Sequence, residues 1–128
     1  MRLSENQIIF TLNIADLIFF ANSLGFGLTF GDANRDPDLQ KLYYFGYTIQ
    51  GQTKESLKLV PGKVKSKTLN SNHLRRLAVD FNFFVDGELI YDKSELQVLG
   101  NYWEKLHPKN KWGGNWGFKD TQHFEMNV

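Results

Sequence analysis

The sequence predicts an α+β fold in which helices pack on a small antiparallel sheet. Three observations carry that expectation. Ile8, Leu12, Ala15 and Phe19 fall at helical spacing. Leu77 to Phe84 is a Val-, Phe- and Ala-rich run followed by Asp86-Gly87 and a second short apolar run, which is a hairpin pattern. Asp92, with Glu95 three residues on, opens a segment whose apolar residues recur at helical spacing.

Taken in order, Ser4 is the expected N-cap of the first helix, with Gln7 completing a capping box and Gly25 stopping it. Ile9, Ile18 and Leu24 widen its apolar stripe, so burial on more than one side is expected. Phe26 to Phe30 reads as a short strand. Asp36-Pro37 suits a helix start, Leu39, Leu42 and Tyr43 give that helix its apolar face, and Gly46 ends it. Thr48 to Ser71 holds Lys54, Lys58, Lys63, Lys65 and Lys67 but few large apolar residues. It is expected to be a solvated loop, or a substrate-facing loop that attracts an acidic ligand. Leu77 to Phe84 and Leu89 to Tyr91 form the hairpin. The helix from Asp92 runs through Leu96, Leu99, Trp103 and Leu106 until Pro108 stops it. Trp112-Gly113-Gly114-Asn115-Trp116 is a glycine-rich aromatic turn, and Phe118 to Met126 is a last extended segment.

At 128 residues the chain is expected to form one domain, residues 1–128, without repeat or linker. Fifteen basic residues against fourteen acidic ones argue against nucleic acid as a partner, which normally requires a clear basic excess. No cysteine is present, which excludes a thiolate zinc site, a disulfide framework and a cysteine nucleophile. Asn13, Asp16 and Asn22 interrupt the apolar stretch from Ile8 to Phe30, and only Arg2 precedes it with positive charge. A buried helix is expected there, rather than a signal peptide or membrane span, with synthesis in the cytoplasm and no stable membrane association.

The chemistry lies in two segments. His73 and Asp80 stand in the first, and Asp120 and His123 in the second. Taken alone, either histidine is more often an ordinary polar residue than a ligand. If Asp80 lies on a strand, it sits between Val79 and Phe81, which face the other way. An ionised carboxylate in so apolar a run is costly unless it is paired or bound to metal. Two histidines and one carboxylate form a zinc ligand set that leaves one tetrahedral position for water. A spare carboxylate such as Asp120 is what metal-assisted hydrolysis needs as a base. His107, at a helix end, is expected to be a surface residue.

These residues resemble the zinc peptidases that cut peptidoglycan stem peptides: the D-alanyl-D-alanine carboxypeptidases and L-alanyl-D-glutamate endopeptidases, many phage endolysins among them. The family pattern Ser-x-His-x-x-Gly-x-Ala-x-Asp is matched by Ser71, His73, Ala78 and Asp80. A C-terminal Asp/Glu-x-x-His, often preceded by Trp-Gly-Gly, is matched by Trp112, Gly113, Gly114, Asp120 and His123, with Phe124 and Glu125 following. An upstream Arg-containing motif resembles the run from Asn34 to Tyr43. The resemblance spans about residues 25 to 126. It departs at Arg76, where the family has glycine, and at Gln122, where it usually has proline. Arg76 implies either a different local backbone or a substrate contact.

The resemblance implies the Hedgehog and D-Ala-D-Ala peptidase fold. It implies Zn²⁺ on His73, Asp80 and His123, with Asp120 taking a proton from the attacking water. Arg35 would hold the carbonyl oxygen or a substrate carboxylate. Ser71 and Gln40 would support the ligands, and Trp112, Gly113 and Gly114 would shape the loop that positions Asp120. The expected activity is that of an L-alanyl-D-glutamate endopeptidase of endolysin type, a monomer acting on the cell wall after release from the cytoplasm. The alternatives are a D-alanyl-D-alanine carboxypeptidase, a zinc-binding module without catalysis, and a virion structural protein.

Overall fold

The computed structural model describes residues 1–128. The chain runs α1 (Leu3–Ser23), β1 (Gly27–Phe30), α2 (Pro37–Phe45), β2 (Tyr47–Gln50), β3 (Lys58–Pro61), β4 (Ala78–Val85), β5 (Glu88–Ile90), α3 (Lys93–Leu106), β6 (Asn110–Trp112) and β7 (His123–Met126). Short 3-10 turns occupy Asn72–Arg75 and Gly113–Asn115. The α+β expectation is met. The main sheet is antiparallel in the order β1-β4-β7-β6, and β5 forms a hairpin with β4. No helix is long and apolar enough to cross a membrane.

Strand β4 is the centre of the sheet, because period-2 alternation gives it two different faces. Val79, Phe81 and Phe83 point into the core, where Phe124 and Trp103 meet them or one another edge-on. Asp80 and Asn82 lie on the opposite face, as the alternation predicts. At the hairpin, Asp86 and Gly87 both adopt positive φ, the backbone a tight two-residue turn requires. Helix α3 begins with the Asp92 carboxylate accepting the Ser94 N–H, and it buries Leu96, Leu99 and Trp103 against the sheet.

Helix α1 departs from expectation in two ways. It starts at Leu3, and the Glu5 carboxylate accepts the Arg2 N–H, so Ser4 is not the cap. Gln7 instead donates to the Arg75 carbonyl at 2.7 Å. The expected stripe of Ile8, Leu12 and Phe19 faces outward, at 61%, 63% and 76% exposure, while Phe10, Asn13, Leu17 and Ala21 face the core. The helix is apolar nearly all round, so periodicity did not separate its two stripes. It packs on one side only, with Phe10 edge-on to Trp103 and Phe20 stacked on Tyr102 of α3.

The Thr48 to Ser71 segment is not simply a loop. Strands β2 and β3 pair within it as a separate two-stranded sheet, Tyr47 opposite Pro61 and Ile49 opposite Leu59. The glycine-rich turn likewise begins as β6, and only His123–Met126 of the last extended segment is strand.

Arg76 resolves the first of its two readings. Its backbone is left-handed, φ 56° and ψ 37°, so the chain keeps the conformation a glycine would adopt there without steric penalty. That bend ends the 3-10 turn and returns the chain to β4. We predict that Arg76→Val lowers unfolding free energy by about 1–2 kcal/mol, because a β-branched residue tolerates this region poorly. Arg76→Gly should leave it unchanged to within about 1 kcal/mol, relief of strain offsetting the freer unfolded chain. Urea denaturation of both variants checks this, and equal losses would contradict it.

Candidate metal centre

Three structural devices bring His73, Asp80 and His123 together. The first is register: in the antiparallel pairing of β4 with β7, Asp80 stands directly opposite His123. Directly paired residues share a face, so both side chains leave the sheet side by side. The second is the 3-10 turn, capped by Ser71, whose hydroxyl accepts the His73 N–H at 3.2 Å. The third is the loop between β1 and α2. Gly31 donates to the Asp80 carbonyl and Asp80 donates to the Asp32 carbonyl, both at 2.7 Å, while Arg35 donates its backbone N–H to the His73 carbonyl.

The ring nitrogens have defined roles. His73 Nδ1 lies 2.9 Å from the Ala33 carbonyl oxygen, which can only accept. Nδ1 therefore carries a proton, and Nε2 is the nitrogen that faces Asp80 Oδ2, 3.4 Å away. His123 Nδ1 lies 3.0 Å from Asp80 Oδ1, and its Nε2 lies 2.7 Å from Glu125 Oε1. One ligating atom from each of His73, Asp80 and His123 can be chosen so that all lie within 4.8 Å of one another. Tetrahedral ligands at the usual zinc distances sit roughly 3.3 Å apart. The 3.0 and 3.4 Å separations match that spacing, and two imidazoles with a carboxylate are a donor set suited to zinc. The residues fit a metal of this kind.

The ionisable groups are strongly coupled. Burial pushes Asp80 upward, but hydrogen bonds from His123 and His73, reinforced by their charge, hold its carboxyl well below the usual aspartate range. Burial pushes His123 down, yet its bonds to Asp80 and Glu125 win and raise it to about 9. Burial raises Asp120, and the neighbouring Asp80 carboxylate adds to that.

Asp120, Arg35, His73, Asp80 and His123 all line one cleft of about 600 Å³. Asp120 is placed by a turn. Its N–H donates to the Gly113 carbonyl at 2.9 Å, and its own carbonyl accepts the His123 N–H at 3.2 Å. A side chain at Gly113 would overlap the Asp120 carbonyl, so the close approach requires glycine. Trp112 shapes this loop from behind. It is fully buried, slots between Gly100 and Gly114, and donates its indole N–H to the Thr121 carbonyl at 3.0 Å. Trp116, not Trp112, faces the site, its ring 5.0 Å from that of His123.

Arg35 is buried, with Nη1 donating to Gln40 and Nη2 to Asp32, each at 2.8 Å, and its guanidinium over the Tyr43 ring. Gln40 therefore secures Arg35 and, by donating to Ser66 and Thr68, the basic segment above it; it touches neither histidine. Of the five lysines in that segment, Lys65 and Lys67 reach the cleft, and Lys119 joins them from the opposite wall. Lys67 spans toward that wall, its ammonium 4.6 Å from the Phe118 ring centre. His107 stays away from the cleft, its Nδ1 accepting the Lys109 N–H. Sequence reasoning missed the Ala33 carbonyl, Asp32 and Asn72. A backbone carbonyl carries no sequence signal, and the two side chains act through partners distant in sequence or around a bend.

Without metal, the protonated His123 bridges two carboxylates. Its pKa is raised from an ordinary 6.5 to about 9, so this stabilisation is complete below pH 6.5 and is lost as pH rises through about 9. The depressed Asp80 works in the opposite sense, its contribution fading only on strong acidification. We predict that the melting temperature of chelator-treated protein falls from pH 6.5 to 9.5. His123→Asn should flatten that slope, and equal slopes in the two proteins would contradict it.

Residues 64–126, which carry His73, Asp80, Asp120 and His123, match the family model described as D-alanyl-D-alanine carboxypeptidase. No curated protein matches the chain. Among solved structures, the L-Ala D-Glu endopeptidase ChiX of Serratia marcescens has a similar fold. The TM-score is 0.61 at 19% sequence identity, covering 99% of this chain and 87% of that one. Through that C-terminal segment, this chain resembles the D-alanyl-D-alanine carboxypeptidase family of peptidases.

Proposed function

We propose that this protein is a zinc metallopeptidase that hydrolyses a peptide bond in peptidoglycan stem peptides, as an L-alanyl-D-glutamate endopeptidase of endolysin type. The observation that carries this reading is the convergence of His73, Asp80 and His123, with Asp120 lining the same cleft. The match of residues 64–126 to the family model supports a hydrolase, and the fold likeness to an L-Ala D-Glu endopeptidase favours that bond. Lys65, Lys67 and Lys119 around the cleft suit a substrate that carries carboxylates.

His73 through Nε2, Asp80 through its carboxylate and His123 through Nδ1 would hold the zinc. When bound, zinc supplies Lewis acidity, polarising a carbonyl and acidifying water. Asp120 accepts a proton from the attacking water and passes it to the departing amine. Its raised pKa makes it a better proton acceptor than a free aspartate. Arg35 keeps further N–H groups beyond those given to Gln40 and Asp32, and these orient the substrate carbonyl or a substrate carboxylate. Ser71 orders the turn that presents His73, and Trp112 holds the Asp120 loop in place. The chain serves as one monomeric domain, residues 1–128, made in the cytoplasm and acting on the cell wall after release.

The family model's own description favours a second reading, D-alanyl-D-alanine carboxypeptidase. Mass spectrometry of digested muropeptides separates the two: a new amino terminus at D-Glu for the first, free D-alanine for the second. Release of neither would sink both. We further predict that Asp120→Asn lowers turnover by about 10²–10⁴-fold while the protein keeps about one zinc per chain. Under the reading of a zinc-binding module without catalysis, the wild type would have no turnover to lose.

A further inference from the structure

We infer that Glu125 is a positioning residue that fixes which nitrogen of His123 meets the metal, and that Asn72 and Arg75 hold Glu125 in place for that task. This rests on the metal-site reading above. Glu125 sits two residues beyond His123 on β7, so alternation puts both side chains on the same face. Its Oε1 lies 2.7 Å from His123 Nε2. Its Oε2 accepts the Asn72 side-chain N–H at 2.9 Å, and Asn72 Oδ1 accepts from Arg75 Nη2 at 2.7 Å.

An ionised carboxylate can only accept, so Nε2 carries a proton, and Nδ1, beside Asp80, is the nitrogen that would give up its proton and present a lone pair to a bound metal. The arrangement mirrors His73, where the Ala33 carbonyl claims Nδ1 and leaves Nε2 free. The two histidines thus reach the same point through different ring nitrogens, each selected by the acceptor behind it. Groups that orient a metal-bound imidazole in this way typically change metal affinity by 10–100-fold when removed. Glu125 is nearly buried, its side chain 12% exposed, so water does not readily replace its bond to His123.

The balance of donors and acceptors along Arg75–Asn72–Glu125–His123 allows a rescue test. Glu125→Gln keeps an oxygen for His123 but turns an NH₂ toward the Asn72 NH₂. Adding Asn72→Asp supplies an acceptor for both that NH₂ and Arg75, and restores the original net charge. Zinc affinity is read by competition with a chromophoric chelator, and coordination by the visible spectrum of the cobalt-substituted protein. Circular dichroism and melting temperature of the metal-free variants report the fold. The expected result is a 10–100-fold weaker affinity and an altered cobalt spectrum for Glu125→Ala, with the double variant closer to wild type than Glu125→Gln alone. Unchanged affinity and spectrum in Glu125→Ala would overturn the inference while leaving the peptidase reading intact. So would an affinity loss that the double variant does not recover while both proteins stay folded. A wild-type protein that binds no zinc would overturn the metal-site reading and this inference together.

Discussion

The site depends first on the register of β4 against β7. Asp80 faces His123 directly, and Val79 and Phe81 on either side of Asp80 face the core. Because the side-chain period along a strand is two, a slip of one residue would carry Asp80 into the core and Val79 to the site. The aromatic cluster of Phe81, Phe83, Phe124 and Trp103 forbids that slip. Core packing and ligand placement are therefore one constraint, and the apolar side of the strand specifies the position of the polar side.

Around that pair, the remaining parts are held by short-range geometry. His73 arrives on a 3-10 turn that Ser71 opens and the left-handed Arg76 closes. Asp120 arrives on a turn that closes onto Gly113, against the slotted indole of Trp112. Arg35 arrives on a loop whose backbone bonds to both Asp80 and His73. Each group that could touch a substrate thus has a second group behind it, buried and hydrogen-bonded. A charged cluster such as Asp80, Asp120 and Glu125 is costly to bury unless it is compensated, and His123 bonded between two carboxylates is the local answer in the absence of a cation.

The parts of the site carried by side-chain chemistry were legible in the sequence. His73, Asp80, His123 and Asp120 stand where their spacing and the resemblance put them, and Arg35 lines the same cleft. Legibility failed in two kinds of place. Trp112 is buried behind the Asp120 loop, and nothing in the sequence marked Trp116 as the ring that faces His123, because a motif does not say which ring of a Trp-x-x-x-Trp turn points inward. Gln40 was read as support for the ligands but secures Arg35 instead, a distinction that depends on contacts with Ser66 and Thr68 across 26 and 28 residues of chain.

By itself the sequence determined the α+β class, the hairpin at Asp86-Gly87, the caps at Asp36 and Asp92, and the identity of the ligand-type residues. All of these follow from local rules of backbone conformation, periodicity and donor chemistry. Only the tertiary structure decided which stripe of α1 is buried, that Thr48 to Ser71 contains a hairpin, and that Arg76 keeps a glycine-like backbone. It alone decided which nitrogen of each histidine faces Asp80 and which is tied to an acceptor behind it. The physical reason is the same in each case. An apolar helix has no preferred side until a partner covers one, and an imidazole has no preferred tautomer until the fold places an acceptor, here the Ala33 carbonyl or the Glu125 carboxylate, against one of its nitrogens.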